Sequence, residues 1–256
     1  MTLGLQDKVV FVAGSSRGIG KGIAEVFLEE GARVVLTGRD EAELASTFNE
    51  LSANRSDRIM KVAGDLGKLP VAQEAQRRVS ERWGRVDVLV CNIGSGSAKG
   101  GWELTAADWD EVFSVNLWAS TGLVEVFLPG MVEARKGNIV FIGSIAGLES
   151  LGAPIPYGAA KAALERYSKD LSRQVGKHGV RVNMIAPGNI LFPQGTWQRK
   201  LDADPAGVTA MIEAQVPLGR FGTCREVGEA AAFLASERAG FVTGACLVVD
   251  GGQTRS

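Results

Sequence analysis

Histidine is nearly absent from this sequence of 256 residues, which contains one, His178. That excludes a His-rich metal centre and any mechanism that passes protons among several imidazoles. His178 stands between Lys177 and Gly179, an expected helix exit, and reads as an ordinary surface residue. Cysteine is scarce: Cys91, Cys224 and Cys246 form no C-x-x-C pair and are odd in number, so reduced, mostly buried thiols are expected rather than a disulfide framework or a zinc site. No bound metal is expected. No stretch approaches the ~18 uninterrupted apolar residues of a membrane span. The opening Met-Thr-Leu-Gly-Leu-Gln-Asp-Lys lacks the basic start and apolar run of a secretory leader, so a soluble cytoplasmic protein is expected. Neither sign of charge prevails, with 28 Lys plus Arg against 29 Asp plus Glu. This argues against nucleic acid or a membrane surface as partner and leaves a small-molecule ligand. No linker, repeat or low-complexity stretch divides the chain, so one domain spanning residues 1–256 is expected.

What is present is an alternation of short β-branched runs with longer helical patterns. Val9–Val12 precedes Ile19 to Glu30, Val34–Leu36 precedes Glu41 to Leu51, and Ile59–Val62 precedes a helix around Val71 to Trp83. Val86–Val90 leads to helical stretches on either side of Asn116, and Ile139–Ile142 to a long helix from about Tyr157 to Lys177. Val180–Ile185, a helix from Glu226 to Ala235 and Leu247–Val249 close the pattern. Near-continuous apolar strands separated by helices predict an α/β fold with a doubly wound parallel sheet covered on both faces. Segment 191–216 breaks the rhythm with Pro193, Gly195, Pro205 and Gly207. It reads as a substrate lid or as an inert excursion between core elements.

The first strand runs into Ala13-Gly14-Ser15-Ser16-Arg17-Gly18-Ile19-Gly20, which opens an amphipathic helix. Glycines let the backbone approach a pyrophosphate, and a helix start offers free N–H groups and a favourable dipole. The Gly-x-x-x-Gly-x-Gly spacing alone could be a tight turn; its place between strand and helix favours a dinucleotide. The second strand ends in Thr37-Gly38-Arg39-Asp40, with no acid at Gly38 to grip a ribose 2′-hydroxyl. Arg39 and Arg17 instead suit a 2′-phosphate, so NADP(H) is the expected cofactor, with NAD(H) left open because Asp40 could bind ribose.

Tyr157-Gly158-Ala159-Ala160-Lys161 places a phenol and an ammonium one helical turn apart on one face. A neutral phenol can donate a proton, and a nearby ammonium favours its phenolate, a combination suited to reversible carbonyl reduction. Tyr-x-x-x-Lys recurs by chance on many helices, and its company here gives it meaning. Asp65-Leu66 follows the third strand, Cys91-Asn92-Ile93-Gly94 the fourth, Ser144 the fifth and Pro187-Gly188-Asn189-Ile190 the sixth. Val115-Asn116 lies in a helical stretch, and Phe241-Val242-Thr243-Gly244 and Val249-Asp250-Gly251-Gly252 close the chain.

In this order the motifs resemble the short-chain dehydrogenase/reductase family from Lys8 to Gly252, and 3-oxoacyl-[acyl-carrier-protein] reductases within it. The resemblance implies a Rossmann-type sheet of about seven strands and a homotetramer. It implies that Tyr157 is the general acid in reduction, that Lys161 lowers its pKa and holds the nicotinamide ribose, and that Ser144 bonds the substrate oxygen. Asn116 would organise water relaying protons to Lys161. Gly14, Ser16, Arg17, Gly18, Ile19, Gly20, Arg39, Asp65, Leu66, Asn92, Gly94, Tyr157, Lys161, Pro187, Gly188 and Ile190 would line the cofactor. The chain departs from the family in three places. Ala13 stands where a Thr usually braces the glycine turn, Ile93 where a small Ala is usual, and Phe192 where a Thr often bonds the nicotinamide carboxamide.

The implied substrate is a carbonyl or secondary alcohol, with a carrier-bound 3-oxoacyl thioester first and a sugar, steroid or small secondary alcohol second. A non-catalytic NADP-binding regulator or scaffold is the reading of another class. Lys99 in the glycine-rich loop is a candidate anion contact, and Trp102, Phe192 and Trp197 could line an apolar pocket or simply pack.

Overall fold

The computed structural model describes residues 3–53 and 55–255. The apolar runs form one parallel sheet of seven strands: β1 (Val9–Ala13), β2 (Arg33–Gly38), β3 (Ile59–Ala63), β4 (Val88–Cys91), β5 (Gly137–Ile142), β6 (Val180–Pro187) and β7 (Cys246–Val249). Their order is β3-β2-β1-β4-β5-β6-β7, the single-domain Rossmann-type arrangement expected. Strand β4 starts two residues later than the apolar run because Asp87 intervenes, its carboxylate accepting from the Val9 N–H at 3.0 Å.

Alternate residues of each strand feed opposite layers. Val10 and Val12 of β1 join a core with Ile23 and Phe27 of α1 (Gly18–Glu29) and Val227 and Ala231 of α9 (Cys224–Ala235). Phe11 and Ala13 join a second core with residues of α3 (Leu69–Trp83), α5 (Ala119–Glu133) and α6 (Ile155–Val175). Burying large side chains such as Phe11, Phe27 and Phe141 on both faces stabilises the sheet by ~2–3 kcal/mol each. Helix α2 (Glu41–Leu51) packs beside β2 and β3.

The stretch around Asn116 is one continuous helical run. Helix α4 (Ala106–Phe113) passes through a π-helical turn, Ser114–Trp118, into α5. Thr105 and Asp108 cap its start reciprocally. The run Ala106–Glu133 contains an 18-residue window of mean hydropathy 1.3, long and apolar enough to cross a membrane. In this fold it packs against α3 and α6.

Segment 191–216 holds two helices, α7 (Thr196–Ala203) and α8 (Pro205–Gln215). Pro205 and Gly207, read in sequence as interruptions, lie in the first turn of α8, where proline's missing N–H costs nothing. Asp204 caps that turn by accepting from the Gly207 N–H at 2.9 Å.

Candidate active site

In an open parallel sheet the crevice lies at the carboxyl ends of the strands where their order reverses, here between β1 and β4. Ala13 pairs in register with Cys91 at that edge, so Gly14 and Asn92 emerge side by side. The Asn92 amide donates to the Gly14 carbonyl at 2.7 Å. Gly14 and Gly18 hold left-handed backbone, φ +70° and +57°, and the Arg17 side chain at the start of α1 does not cap its amides.

The glycine turn is braced from the next strand. Thr37 Oγ1 accepts from the Gly14 N–H at 2.8 Å and donates to the Val12 carbonyl at 3.0 Å. Ser15 Oγ donates to the same carbonyl at 2.8 Å and accepts from the Thr37 N–H at 2.9 Å. Both side chains are fully buried. Neither stands out in the sequence, where a buried Thr in a strand looks like any other.

Ser144, Tyr157 and Lys161 come together where β5 meets α6. Ser144 caps the 3₁₀ turn Ile145–Gly147, accepting from the Ala146 N–H at 3.1 Å. Two glycines let this turn lie directly on α6. A Cβ on Gly147 would stand 2.7 Å from the Ala162 nitrogen, and one on Gly158 2.9 Å from the Ala146 carbonyl oxygen. Ser144 thereby stands beside Tyr157, close enough to act on the phenol's pKa. Gly158 and the buried Ala160 serve contacts within the chain.

Lys161 is buried and donates to the Ile142 carbonyl at 3.0 Å, and its Nζ lies 5.9 Å from the centre of the Tyr157 ring. Loss of hydration lowers its pKa to about 8. Burial raises the Tyr157 phenol above its ordinary value, and Ser144 opposes this more weakly. In the protein alone, burial sets the direction of the shift.

Asn116 is buried in the π-helical turn. Its Oδ1 accepts from the Ser95 N–H at 3.0 Å, and its amide donates to the carbonyls of Ser95 at 3.1 Å and Val112 at 3.0 Å. Gly94 closes the same corner: a Cβ there would lie 3.0 Å from Asn116 Oδ1 and 3.1 Å from Lys161 Nζ. Asn92, Gly94, Asn116 and Lys161, scattered through the sequence, therefore share one wall of the crevice.

At the far end, Arg39 is exposed and makes no ion pair among the described residues. Asp40 is engaged as the cap of α2, accepting from the Glu43 N–H at 2.9 Å. Asp65 is exposed after β3 and accepts from the Gly67 N–H at 3.1 Å, whereas the Leu66 side chain is buried in the core. Pro187 and Ile190 are buried at the end of β6, and the Gly188 N–H bonds the Val249 carbonyl at 2.9 Å. Glycine turns, uncapped helix amides, exposed cations and a buried ammonium form a donor set that fits a dinucleotide.

The three aromatics considered for a pocket have separate neighbours. Phe192 lies on the glycine turn, its ring 2.7 Å from where a Gly18 Cβ would stand. Trp197 packs on Phe221 with ring centres 5.7 Å apart, and Trp102 is 80% exposed. Lys99 is 3.7 Å from the Asp108 carboxylate, so its charge already has a partner. Cys91 is buried, and burial raises all three thiols, Cys224 and Cys246 to about 11.

A family model described as enoyl-(acyl carrier protein) reductase matches residues 13–254. Over 250 residues the chain is 34% identical to the 3-oxoacyl-[acyl-carrier-protein] reductase FabG of Escherichia coli, the match covering 98% of each protein. L-sorbose reductase from Gluconobacter frateurii, solved with NADPH and L-sorbose, is similar in structure with a TM-score of 0.93 at 32% identity, covering 100% of both chains. A 7α-hydroxysteroid dehydrogenase solved with NADH and 7-oxo glycochenodeoxycholic acid has a TM-score of 0.90 at 26% identity, covering 100% of this chain and 97% of that one. Sequence, fold and the arrangement around Tyr157 agree: the chain belongs to the short-chain dehydrogenase/reductase family, oxidoreductases acting on carbonyl and hydroxyl groups.

Proposed function

We propose that this protein is an NADP(H)-dependent reductase of a 3-oxoacyl thioester, presented on a carrier. The carrying observation is the meeting of Ser144 and Tyr157 beside the buried Lys161, two hydroxyl side chains with a cation behind them. When bound, the nicotinamide supplies or accepts the hydride. Tyr157, kept neutral by burial, donates its proton to the carbonyl oxygen as negative charge develops there, and Ser144 donates a second hydrogen bond. Lys161, oriented by the Ile142 carbonyl, favours the resulting phenolate and holds the ribose. Asn116 has both amide hydrogens committed to carbonyls, so its side chain acts by fixing Ser95 and the Gly94 wall. One remaining Oδ1 lone pair is left for the expected water relay. The amides around Gly14, Ser16, Gly18, Ile19 and Gly20 hold the pyrophosphate, and Arg17 and Arg39 hold the 2′-phosphate. Asp65 and Leu66 meet the adenine, and Asn92, Gly94, Pro187, Gly188 and Ile190 frame the nicotinamide half.

The thioester reading rests on the 34% identity to the Escherichia coli acyl-carrier-protein reductase. A ketose is the second reading, favoured by the 0.93 TM-score to L-sorbose reductase. Residues 191–216 act as the substrate lid, the enzyme assembles as a homotetramer, and its three unpaired thiols suit the cytoplasm. The test is NADPH oxidation with a 3-oxoacyl thioester beside sugar, steroid and aliphatic ketones, with Tyr157→Phe as control. Thioester-selective turnover that Tyr157→Phe abolishes supports the proposal. Turnover of another ketone alone reassigns the substrate, and NADPH binding without turnover of any of them counts against it.

A further inference from the structure

Beside the end of β2 an acidic side chain stands where the cofactor's 2′-phosphate is expected. Helix α2 grips the glycine turn at two points. Thr47 Oγ1 donates to the Ser16 carbonyl at 2.5 Å, and Ser16 Oγ donates to Glu43 Oε2 at 2.7 Å. Gly38 allows this approach, since a Cβ there would lie 2.9 Å from Ser16 Cβ. The other Glu43 oxygen, Oε1, lies 3.4 Å from Arg17 Nη1, a nitrogen that also donates to Gln194 at 3.3 Å. Glu43 is itself fixed, its N–H donating to Asp40 in the first turn of α2. One carboxylate thus takes a hydroxyl and a guanidinium N–H, the donor types that recognise a phosphate monoester.

We propose that Glu43 is an internal counter-anion for Ser16 and Arg17, which the 2′-phosphate of NADP(H) must displace, so that Glu43 sets how strongly the enzyme discriminates between the two nicotinamide cofactors. The inference rests on the NADP(H) reading above and adds to it a specificity residue of opposite charge. A carboxylate left beside a dianionic phosphate opposes binding, while NAD(H), with a ribose hydroxyl there, leaves the Glu43 contacts in place.

The test is equilibrium fluorescence titration of NADPH and NADH against the wild-type protein and Glu43→Gln. Glutamine keeps the length of the side chain and an acceptor for Ser16 but removes the charge. The expected result is NADPH binding tighter by about threefold to tenfold with NADH changed by less than about twofold. An Arg17→Gln background should shrink that gain, because the two charges act on each other. Unchanged or weaker NADPH binding in Glu43→Gln, or an equal shift for both cofactors, overturns the proposal and leaves Glu43 a structural brace. If the wild type prefers NADPH and Glu43→Gln does not alter that preference, the cofactor reading stands and the role of Glu43 falls. If neither protein distinguishes NADPH from NADH, both fall. If the preference appears only in Glu43→Gln, the displacement proposal is supported.

Discussion

Asn116 grips Ser95 in both directions, accepting from its N–H at 3.0 Å and donating to its carbonyl at 3.1 Å. A third bond, to the Val112 carbonyl at 3.0 Å, anchors the amide in its own helix at the π-helical turn. The side chain thus ties the loop after β4 to the helical run that lines the crevice. Asn116→Ala frees both Ser95 groups and leaves the Val112 carbonyl without this partner. Denaturant unfolding should show a loss of about 1–3 kcal/mol, and steady-state kinetics a drop in kcat of about tenfold or more, since ~1.4 kcal/mol of lost transition-state stabilisation suffices. Asn116→Asp should fare little better, because a carboxylate cannot donate to the two carbonyls.

A side chain at Gly94 should displace the catalytic wall. The added Cβ of Gly94→Ala would lie 3.0 Å from Asn116 Oδ1 and 3.1 Å from Lys161 Nζ, tight enough that these side chains must give by a few tenths of an ångström. The loop is exposed at this point, so the fold should survive, with circular dichroism unchanged, while kcat falls by about tenfold or more as Lys161 is pushed off its position.

Lys161 should cost the protein stability. Its pKa is about 8 in the folded chain against 10.5 for an ordinary lysine. Between those values the unfolded state holds more protons, so stability rises with pH across that window. The penalty is full below pH 8 and gone above pH 10.5; it amounts to roughly 3 kcal/mol. Lys161→Met should therefore unfold at higher denaturant at pH 7, lose that advantage towards pH 10.5, and have no measurable turnover. Equal or lower stability at pH 7 would contradict this.

Thr37 braces the glycine turn that begins after Ala13. Thr37→Val keeps the shape but leaves the Gly14 N–H without its acceptor, which should cost about 1–3 kcal/mol on unfolding. Ala13→Thr in the same background should restore part of that loss. Absence of any rescue would show that the two positions do not brace the same turn.

Arg39→Leu alone should weaken NADPH binding by about tenfold with NADH little changed, since it removes one charge-assisted contact. It is a cleaner test than adding an acid at Gly38, where any Cβ presses on Ser16 Cβ at 2.9 Å.

The fold was legible because it is written in periodicity. Runs such as Val34–Leu36 are apolar on both sides of the strand, which only a sheet covered on two faces accommodates. Proline was misleading at Pro205, because the same residue breaks a helix from inside and starts one from its first turn. Tyr157 and Lys161 were legible as a pair because one helical turn separates them, and Ser144 and Asn116 through their order in the family's motifs. The sequence alone thus determined the sheet, the glycine turn and the residue types of the crevice. Tertiary structure alone decided that Thr37 braces Gly14, that Phe192 lies on Gly18 and that Glu43 faces Ser16 and Arg17. These contacts join residues brought together by strand order rather than by spacing. Burial, likewise invisible to local pattern, is what raises the Tyr157 phenol and lowers Lys161.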